Sequence, residues 1–401
     1  MGHSQHVHRA SPRPIRAISE ERRLKVALNA WFVDQVGTGS GQYLRHLLPA
    51  MTDAAPDIDY LLIAPPERIG DRLPEFRGQV RPARSGLGRG NLGKVWFEQV
   101  TFPRLCRHWG ADLAHVPYWG SPVRPPVPTV VTVHDLIPLL LPAYRGGPLV
   151  RLYTRLVAAA ARRAAVVLTD SLAAKRDIET HLRLGPQGVQ CIYLAPADGF
   201  SPQPQPEDQA IRRRYGLPTR YVLYLAGHDV RKNVGRLVEA FATVVEADDD
   251  VTLVIGGHLP ERDDPLFFDP RPLVAALGLE EKVRFTGWVD EGHKPALYRG
   301  AACAVFPSRY EGFGLPVLEA LACGTPLVTS DRSSLPELVG DAGFVLAPDD
   351  VPGLAGAILA CLVDEALVAE LRQRGPEQAS RFSWAETARA TANAYRAALG
   401  G

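Results

Sequence analysis

Two α/β domains, each an open parallel sheet covered by helices and facing the other across a cleft, are what this sequence predicts, on three observations. At 401 residues the chain is too long for a single hydrophobic core to be the default. From Leu24 onward, short β-branched apolar runs alternate with helix-like segments, the rhythm of parallel sheets packed between helices. A Pro-rich polar stretch at 195–206 interrupts that rhythm once, in the manner of an interdomain linker, and the alternation then resumes. The predicted organisation is a mobile tail over 1–23, a Rossmann-like acceptor domain over 24–198, a linker over 199–218, a Rossmann-like nucleotide-sugar domain over 219–378 and a closing helix over 379–401.

In the first half the strand candidates are LKVALNAWFV, DYLLIAPP, ADLAHVPY, PTVVTVHDL, AVVLTDS and VQCIYLAP, whose continuous apolar character suits burial on both faces. Helical stretches are expected over 42–51 and 149–163. In the second half YVLYLAG, VTLVIGG, KVRFTGWV, CAVFPS, TPLVTSD and GFVLAP read as six more strands, with helices over 234–247 and 315–323 between them. Ligands of such sheets bind beyond the carboxyl ends of the strands, so the loops that follow strands are expected to carry the chemistry.

Composition excludes several classes. Lys plus Arg numbers 45 against 44 for Asp plus Glu, which gives no general electrostatic reason to bind nucleic acid. The five cysteines are scattered and never form a C-x-x-C pair, so neither a disulfide framework nor a zinc ribbon is indicated and a reducing cytoplasm fits best. The opening segment carries His3, His6 and His8 at irregular spacing without the apolar core of a secretion signal, and reads as a tail rather than a metal site. No apolar stretch is long enough to cross a bilayer, since the best candidate, 157–168, is broken by Arg162 and Arg163.

The most informative segment is FPSRYEGFGLPVLEA, 306–320, which runs from a strand end through a glycine loop into a helix. Gly312 and Gly314 let the backbone approach a ligand, and Pro316 suits the first helical turn because its missing N–H has no partner there. Gly324 can close the short helix. A helix that starts directly after such a loop offers N–H groups and positive dipole to an anion, so a diphosphate can sit there without a metal. Glu311 before the anion site and Glu319 in the helix can each accept bidentate hydrogen bonds from vicinal hydroxyls, Glu319 from a ribose and Glu311 from a hexose.

This E-G-F-G-L-P-x-x-E segment resembles the hallmark of the family four retaining glycosyltransferases (glycosyl transferases group 1) of GT-B fold, and the resemblance runs from Leu24 to the final helix. It implies a metal-independent transferase that moves a hexose from a nucleotide diphosphate sugar to a glycan, glycolipid or other hydroxyl acceptor, with no cofactor and no nucleic-acid partner. Glu311 then approaches the donor sugar and Glu319 the ribose, with Gly312, Phe313, Gly314 and Leu315 forming the loop around the diphosphate. Lys232, in the loop AGHDVRKNV, matches the family's phosphate lysine. The chain departs from the pattern at His228, where many members carry Arg, and Arg231 is the expected substitute. The Arg-Lys-Asn form resembles mannosyl-type members, which places GDP-mannose narrowly ahead of UDP-glucose and UDP-N-acetylglucosamine.

The resemblance also implies that His134, at a strand end in VTVHDL, faces the donor sugar as a positioning or acid-base residue, with Asp135 as its supporter. Gly37-Thr-Gly-Ser-Gly41 fails as a dinucleotide fingerprint in spacing, and Gly39 is expected in a loop that shapes the cleft near diphosphate and acceptor. The base is expected against Gly287 and Trp288. Asp248-Asp-Asp250 joins a helix to a strand away from the cleft and reads as a solvated turn. The arginine-rich segment 72–107, with Trp96 and Phe97, fits an anionic acceptor, peripheral contact with an anionic membrane surface at the inner face, or an exposed basic loop. A sugar-nucleotide epimerase of similar fold and a non-catalytic sugar-nucleotide binder are the rival readings. The last segment, from Phe382, is expected to be an amphipathic helix that crosses back to the first domain.

Overall fold

A computed structural model describes residues 22–70, 75–88, 90–262 and 264–400. The expected tail, with its three histidines, lies outside the described residues except for Arg22 and Arg23, which pair with Asp112 at 3.0 Å and Asp59 at 3.3 Å.

The first sheet contains β1 (Leu24–Asn29), β2 (Ile58–Ala64), β3 (Gln79–Pro82), β4 (Leu113–Val116), β5 (Thr129–Thr132), β6 (Val166–Thr169) and β7 (Val189–Cys191). They are ordered β3-β2-β1-β4-β5-β6-β7 and all pair in parallel. Helices on both faces leave β4, β5 and β6 wholly buried, which is why these strands are unbroken apolar runs rather than alternating ones. The edge strands lack that signature, β7 with Gln190 at its centre and β3 most of all. β3 is a short edge strand, mostly exposed, with Arg81 and Pro82 in its four residues, and its pairing with β2 rather than its side chains makes it a strand.

The second sheet contains β8 (Tyr221–Leu225), β9 (Thr252–Gly256), β10 (Val283–Gly287), β11 (Cys303–Phe306), β12 (Leu327–Ser330) and β13 (Phe344–Leu346), again all parallel, ordered β10-β9-β8-β11-β12-β13. The six expected runs are its six strands. In both sheets the strand order reverses beside the first strand, and the crevice at that reversal is where open α/β sheets place ligands.

The helix after β1 covers Gly39–Ala54, three residues longer at each end than its apolar pattern indicates, and it starts early because Thr38 accepts a capping bond from the Gly41 N–H at 3.1 Å. A helix over Val234–Ala247 follows β8, as expected. The stretch expected as linker holds the helix Asp208–Arg214, tied to the second domain by two bonds from Arg299 to Asp208 at 2.5 and 2.7 Å. The Asp triplet is a turn in which Asp248 pairs with Arg220 at 2.7 Å.

The last helix, Trp384–Ala397, is capped by Ser383 and returns to the first domain. Its buried Tyr395 hydroxyl meets His115 Nδ1 at 2.7 Å, Thr387 donates to the Tyr193 carbonyl at 2.7 Å, and Arg396 pairs with Asp57 at 2.8 Å. This is the two-domain GT-B arrangement, with the final helix packed on the first domain. Among the described residues no single helix is long and apolar enough to cross a membrane.

Candidate active site in the interdomain cleft

The glycine loop leaves β11 at Phe306 and enters the helix Leu315–Ala322 through Gly314, whose φ of 118° belongs to a region that side chains avoid. Two serines from the loop after β12 fasten it. Ser333 Oγ accepts from the Glu311 N–H at 2.7 Å, and Ser334 Oγ donates to the Glu311 carbonyl at 3.1 Å and also to that of Phe313. Neither serine was foreseen, since their contribution depends on β12 lying beside β11.

Glu311 is buried and ion-paired with both cations of the other loop, at 2.6 Å to Lys232 Nζ and 2.8 Å to Arg231. Burial pushes the Glu311 carboxyl up, but Lys232 and Arg231 outweigh it and hold it at about 2. Burial also lowers the Lys232 pKa, against the pull of Glu311. Arg231 further donates to the Tyr310 carbonyl at 2.9 Å, while its buried Nε makes no hydrogen bond and lies 3.5 Å from Asp229 Oδ1. Two cations, one carboxylate and a helix N-terminus therefore converge where β8 and β11 end side by side. Such a cluster can exchange its internal ion pairs for the oxygens of a diphosphate.

His228, at the position where the resemblance expects an arginine, is a buried neutralisable ring rather than a permanent cation. It is 1 % exposed, neither ring nitrogen has a hydrogen-bond partner, and burial lowers its pKa. The residues after β9 fold back over it, with the Phe268 N–H donating to its carbonyl at 2.7 Å. Arg231 is thus the second cation at this site.

Glu319 is buried in the helix. Its Oε2 accepts from the Tyr298 hydroxyl at 3.2 Å and its Oε1 lies 3.8 Å from Lys294, while burial raises its pKa. A cavity of about 600 Å³, which Glu319 does not line, opens between Gln42, Arg45 and His46 of the first domain and Glu291, Gly292 and Pro295 of the second. Gly287 has φ +67°, and Trp288 is half-exposed and stacks on His258 with ring centroids 5.1 Å apart. Gly37 faces that indole: a Cβ there would sit 3.5 Å from it, whereas one on Gly39 would meet open space.

From the first domain, His134 follows β5 and reaches the glycine loop, because a Cβ on Gly312 would lie 2.6 Å from the His134 carbonyl oxygen. The side-chain supporter of His134 is not Asp135. Its Nδ1 bonds Asp170 Oδ2 at 2.6 Å, and Asp170 follows the neighbouring strand β6. Asp135 instead accepts from the Ile137 N–H at 3.0 Å, because the side chain next to His134 in sequence projects toward the turn that ends the strand. With Nδ1 engaged, His134 Nε2 has no hydrogen-bond partner.

Comparison with known proteins gives this geometry its class. Residues 37–196 match the family described as Glycosyltransferase Family 4, and 207–379 match the one described as Glycosyl transferases group 1. The chain belongs to this family and is a glycosyltransferase. It is 33 % identical over 371 residues, 90 % of this chain and 96 % of the other, to O-antigen chain mannosyltransferase B of Escherichia coli. A serotype-specific mannosyltransferase of the same organism is 31 % identical over 394 residues, 95 % of this chain and 45 % of its own length. Among solved structures, sucrose-phosphate synthase from Thermosynechococcus elongatus superimposes with a TM-score of 0.74 at 22 % identity, covering 94 % of this chain and all (100 %) of its own.

Proposed function

We propose that this chain transfers a mannosyl residue, with retention of configuration and without a metal, from a nucleoside diphosphate to a hydroxyl of a growing polysaccharide. The observation that carries the reading is Glu311 clamped between Lys232 and Arg231 in front of a helix N-terminus, with His134 Nε2 unpartnered on the facing domain. The full-length similarity to a mannosyltransferase supports the choice of sugar.

Donor binding turns the two cations from Glu311 to the diphosphate and frees that carboxylate for the hexose hydroxyls. Glu319 holds the ribose, and the base lies against the loop at Gly287 and Trp288. His134 Nε2 hydrogen-bonds the sugar. The acceptor oxygen forms its bond to C1 on the face from which the C1–O bond to phosphate breaks, and the acceptor proton passes to the departing phosphate oxygen. Lys232, Arg231 and the helix dipole stabilise the charge that develops on the diphosphate.

Purified protein assayed in chelator is expected to transfer from GDP-mannose and not from UDP-glucose. Lys232→Ala lowers kcat by about 100-fold or more, the scale of a lost electrostatic stabiliser, with a smaller change in donor affinity. Undiminished turnover in that variant removes Lys232 from the reaction, and transfer from UDP-glucose alone refutes the choice of donor.

A further inference from the structure

The loop between β5 and the helix Pro148–Ala161 makes a contact across the cleft that no step of the proposed reaction uses. It starts at His134 and Asp135, is anchored by the buried Leu136 and Ile137, and runs through the turns Ile137–Leu140 and Pro142–Arg145 to Gly146 and Gly147. From Pro142 to Gly147 every residue is exposed except Tyr144, which is half-buried. So little apolar burial leaves the tip of the loop dependent on what Tyr144 meets.

Tyr144 meets the second domain. Its hydroxyl donates to Asp229 Oδ1, in the loop after β8. The same oxygen accepts from the Arg231 N–H at 3.1 Å and lies 3.5 Å from Arg231 Nε. The guanidinium thus stands between two carboxylates, Asp229 on its Nε side and Glu311 at Nη1. One carboxylate oxygen therefore joins a first-domain loop to a cation of the second domain's phosphate loop.

We propose that Tyr144 is a positioning residue, which through Asp229 and Arg231 ties the position of the loop 136–147 to occupancy of the phosphate site. The loop runs from the histidine that faces the sugar to the carboxylate beside the phosphate cation, so it walls the space through which an acceptor hydroxyl reaches C1. The donor draws Nη1 of Arg231 from Glu311, whereas the Nε side stays with Asp229 and so with Tyr144. The diphosphate and the Tyr144 contact both require the closed cleft, so each stabilises the other, and by linkage the two effects are equal in size. The acceptor wall is then complete only once the donor is bound. The inference rests on the reading of Arg231 as a phosphate ligand, but not on the donor's base or sugar.

Arg145, exposed beside Tyr144, makes the loop readable by trypsin. The full-length protein is digested under conditions where the loop opens and closes faster than it is cut, and mass spectrometry follows cleavage after Arg145. The digestion is run with and without the nucleoside diphosphate that calorimetry shows to bind, GDP or UDP. In wild type the nucleotide is expected to slow this cut about fivefold, the scale of one solvent-competed hydrogen bond. Tyr144→Phe, which keeps the ring, abolishes the slowing and weakens nucleotide affinity by the same factor, with the melting temperature unchanged. A purely structural tyrosine would not make those two factors match. A wild-type cut that the nucleotide does not slow overturns the inference, as does a Tyr144→Phe variant that is still protected or that binds nucleotide as tightly as wild type. Binding of neither GDP nor UDP refutes the proposed reaction itself, and the coupling with it.

Discussion

At the scale of single residues, the protonation of His134 is governed by a partner 36 positions along the chain. Burial alone lowers the pKa of this imidazole, but Asp170 at 2.6 Å, with a weaker contribution from Asp135, raises it above the usual 6.5. A pKa raised on folding stabilises the native state fully below the unfolded value, and that contribution is lost as pH rises through the folded value. Asp170→Asn leaves burial in command, so the His134 resonances titrate below 6.5 by NMR in the variant and above it in wild type. The thermal stability deficit of the variant is correspondingly larger at about pH 5.5 than at about pH 9. Equal deficits at the two pH values would mean that the carboxylate does not set the charge of the ring. The pairing was hidden in the sequence for a physical reason: β5 and β6 end side by side, and only that register brings the two side chains together. Glu311, Arg231 and Lys232, by contrast, sit in two short segments whose composition announces a polar loop at a strand end, and they were legible without the fold.

At the scale of elements, legibility follows burial. The strands buried on both faces declare themselves as apolar runs, whereas β3 is invisible because an edge strand with Arg81 and Pro82 has nothing apolar to repeat. The segment after it, read for its arginines and given no secondary structure, forms the helix Asn91–Trp96, a π-helical turn at Phe97–Thr101 and the helix Phe102–Trp109. The buried Phe97, Phe102 and Cys106 supply its apolar face, but the glycines and arginines between them blur the period. The glycine loop shows the opposite case, in which one residue type carries the function of the whole element. Gly312 is constrained by distance, since an added methyl would lie 2.6 Å from the His134 carbonyl oxygen and 3.0 Å from Asp135 Cβ. That clash exists only while the domains are closed. Gly312→Ala is therefore expected to lower kcat about tenfold or more, from an overpacking cost of about 1–3 kcal/mol, while nucleoside diphosphate affinity measured by calorimetry stays within about twofold. Equal losses in kcat and affinity would show that the methyl damages the phosphate loop itself.

At the scale of the whole molecule, closure is held by several polar bridges beside the apolar contact of Tyr193 with Phe313, whose ring centroids lie 6.4 Å apart. Glu337, at the start of the second domain's helix Leu335–Val339, spans the cleft to the first domain. Its carboxylate accepts from the Leu172 and Ala173 N–H groups at 2.9 and 3.0 Å, and from the Tyr193 hydroxyl at 2.9 Å. It thus occupies the N-terminus of the helix Leu172–Leu182, where a negative charge is stabilised by the helix dipole. Ser171 Oγ reinforces it by donating to the Gly312 carbonyl at 2.7 Å, as does the Tyr310 hydroxyl by donating to Asp177 at 2.8 Å. Most of these groups can find water when the domains part, so each bridge adds little and their number decides the balance. Glu337→Ala removes three at once without touching the cations or the glycine loop. Hydrogen bonds to a charged group contribute about 1.5–3 kcal/mol each when buried and less at a solvated seam, so the open population of the ligand-free enzyme should rise about tenfold or more. Small-angle X-ray scattering reads this as a larger radius of gyration in the variant, and saturating nucleoside diphosphate returns that radius toward the wild-type value. A radius identical to wild type without ligand would locate the closing free energy in the final helix instead, which holds the first domain from behind through Tyr395 and Thr387.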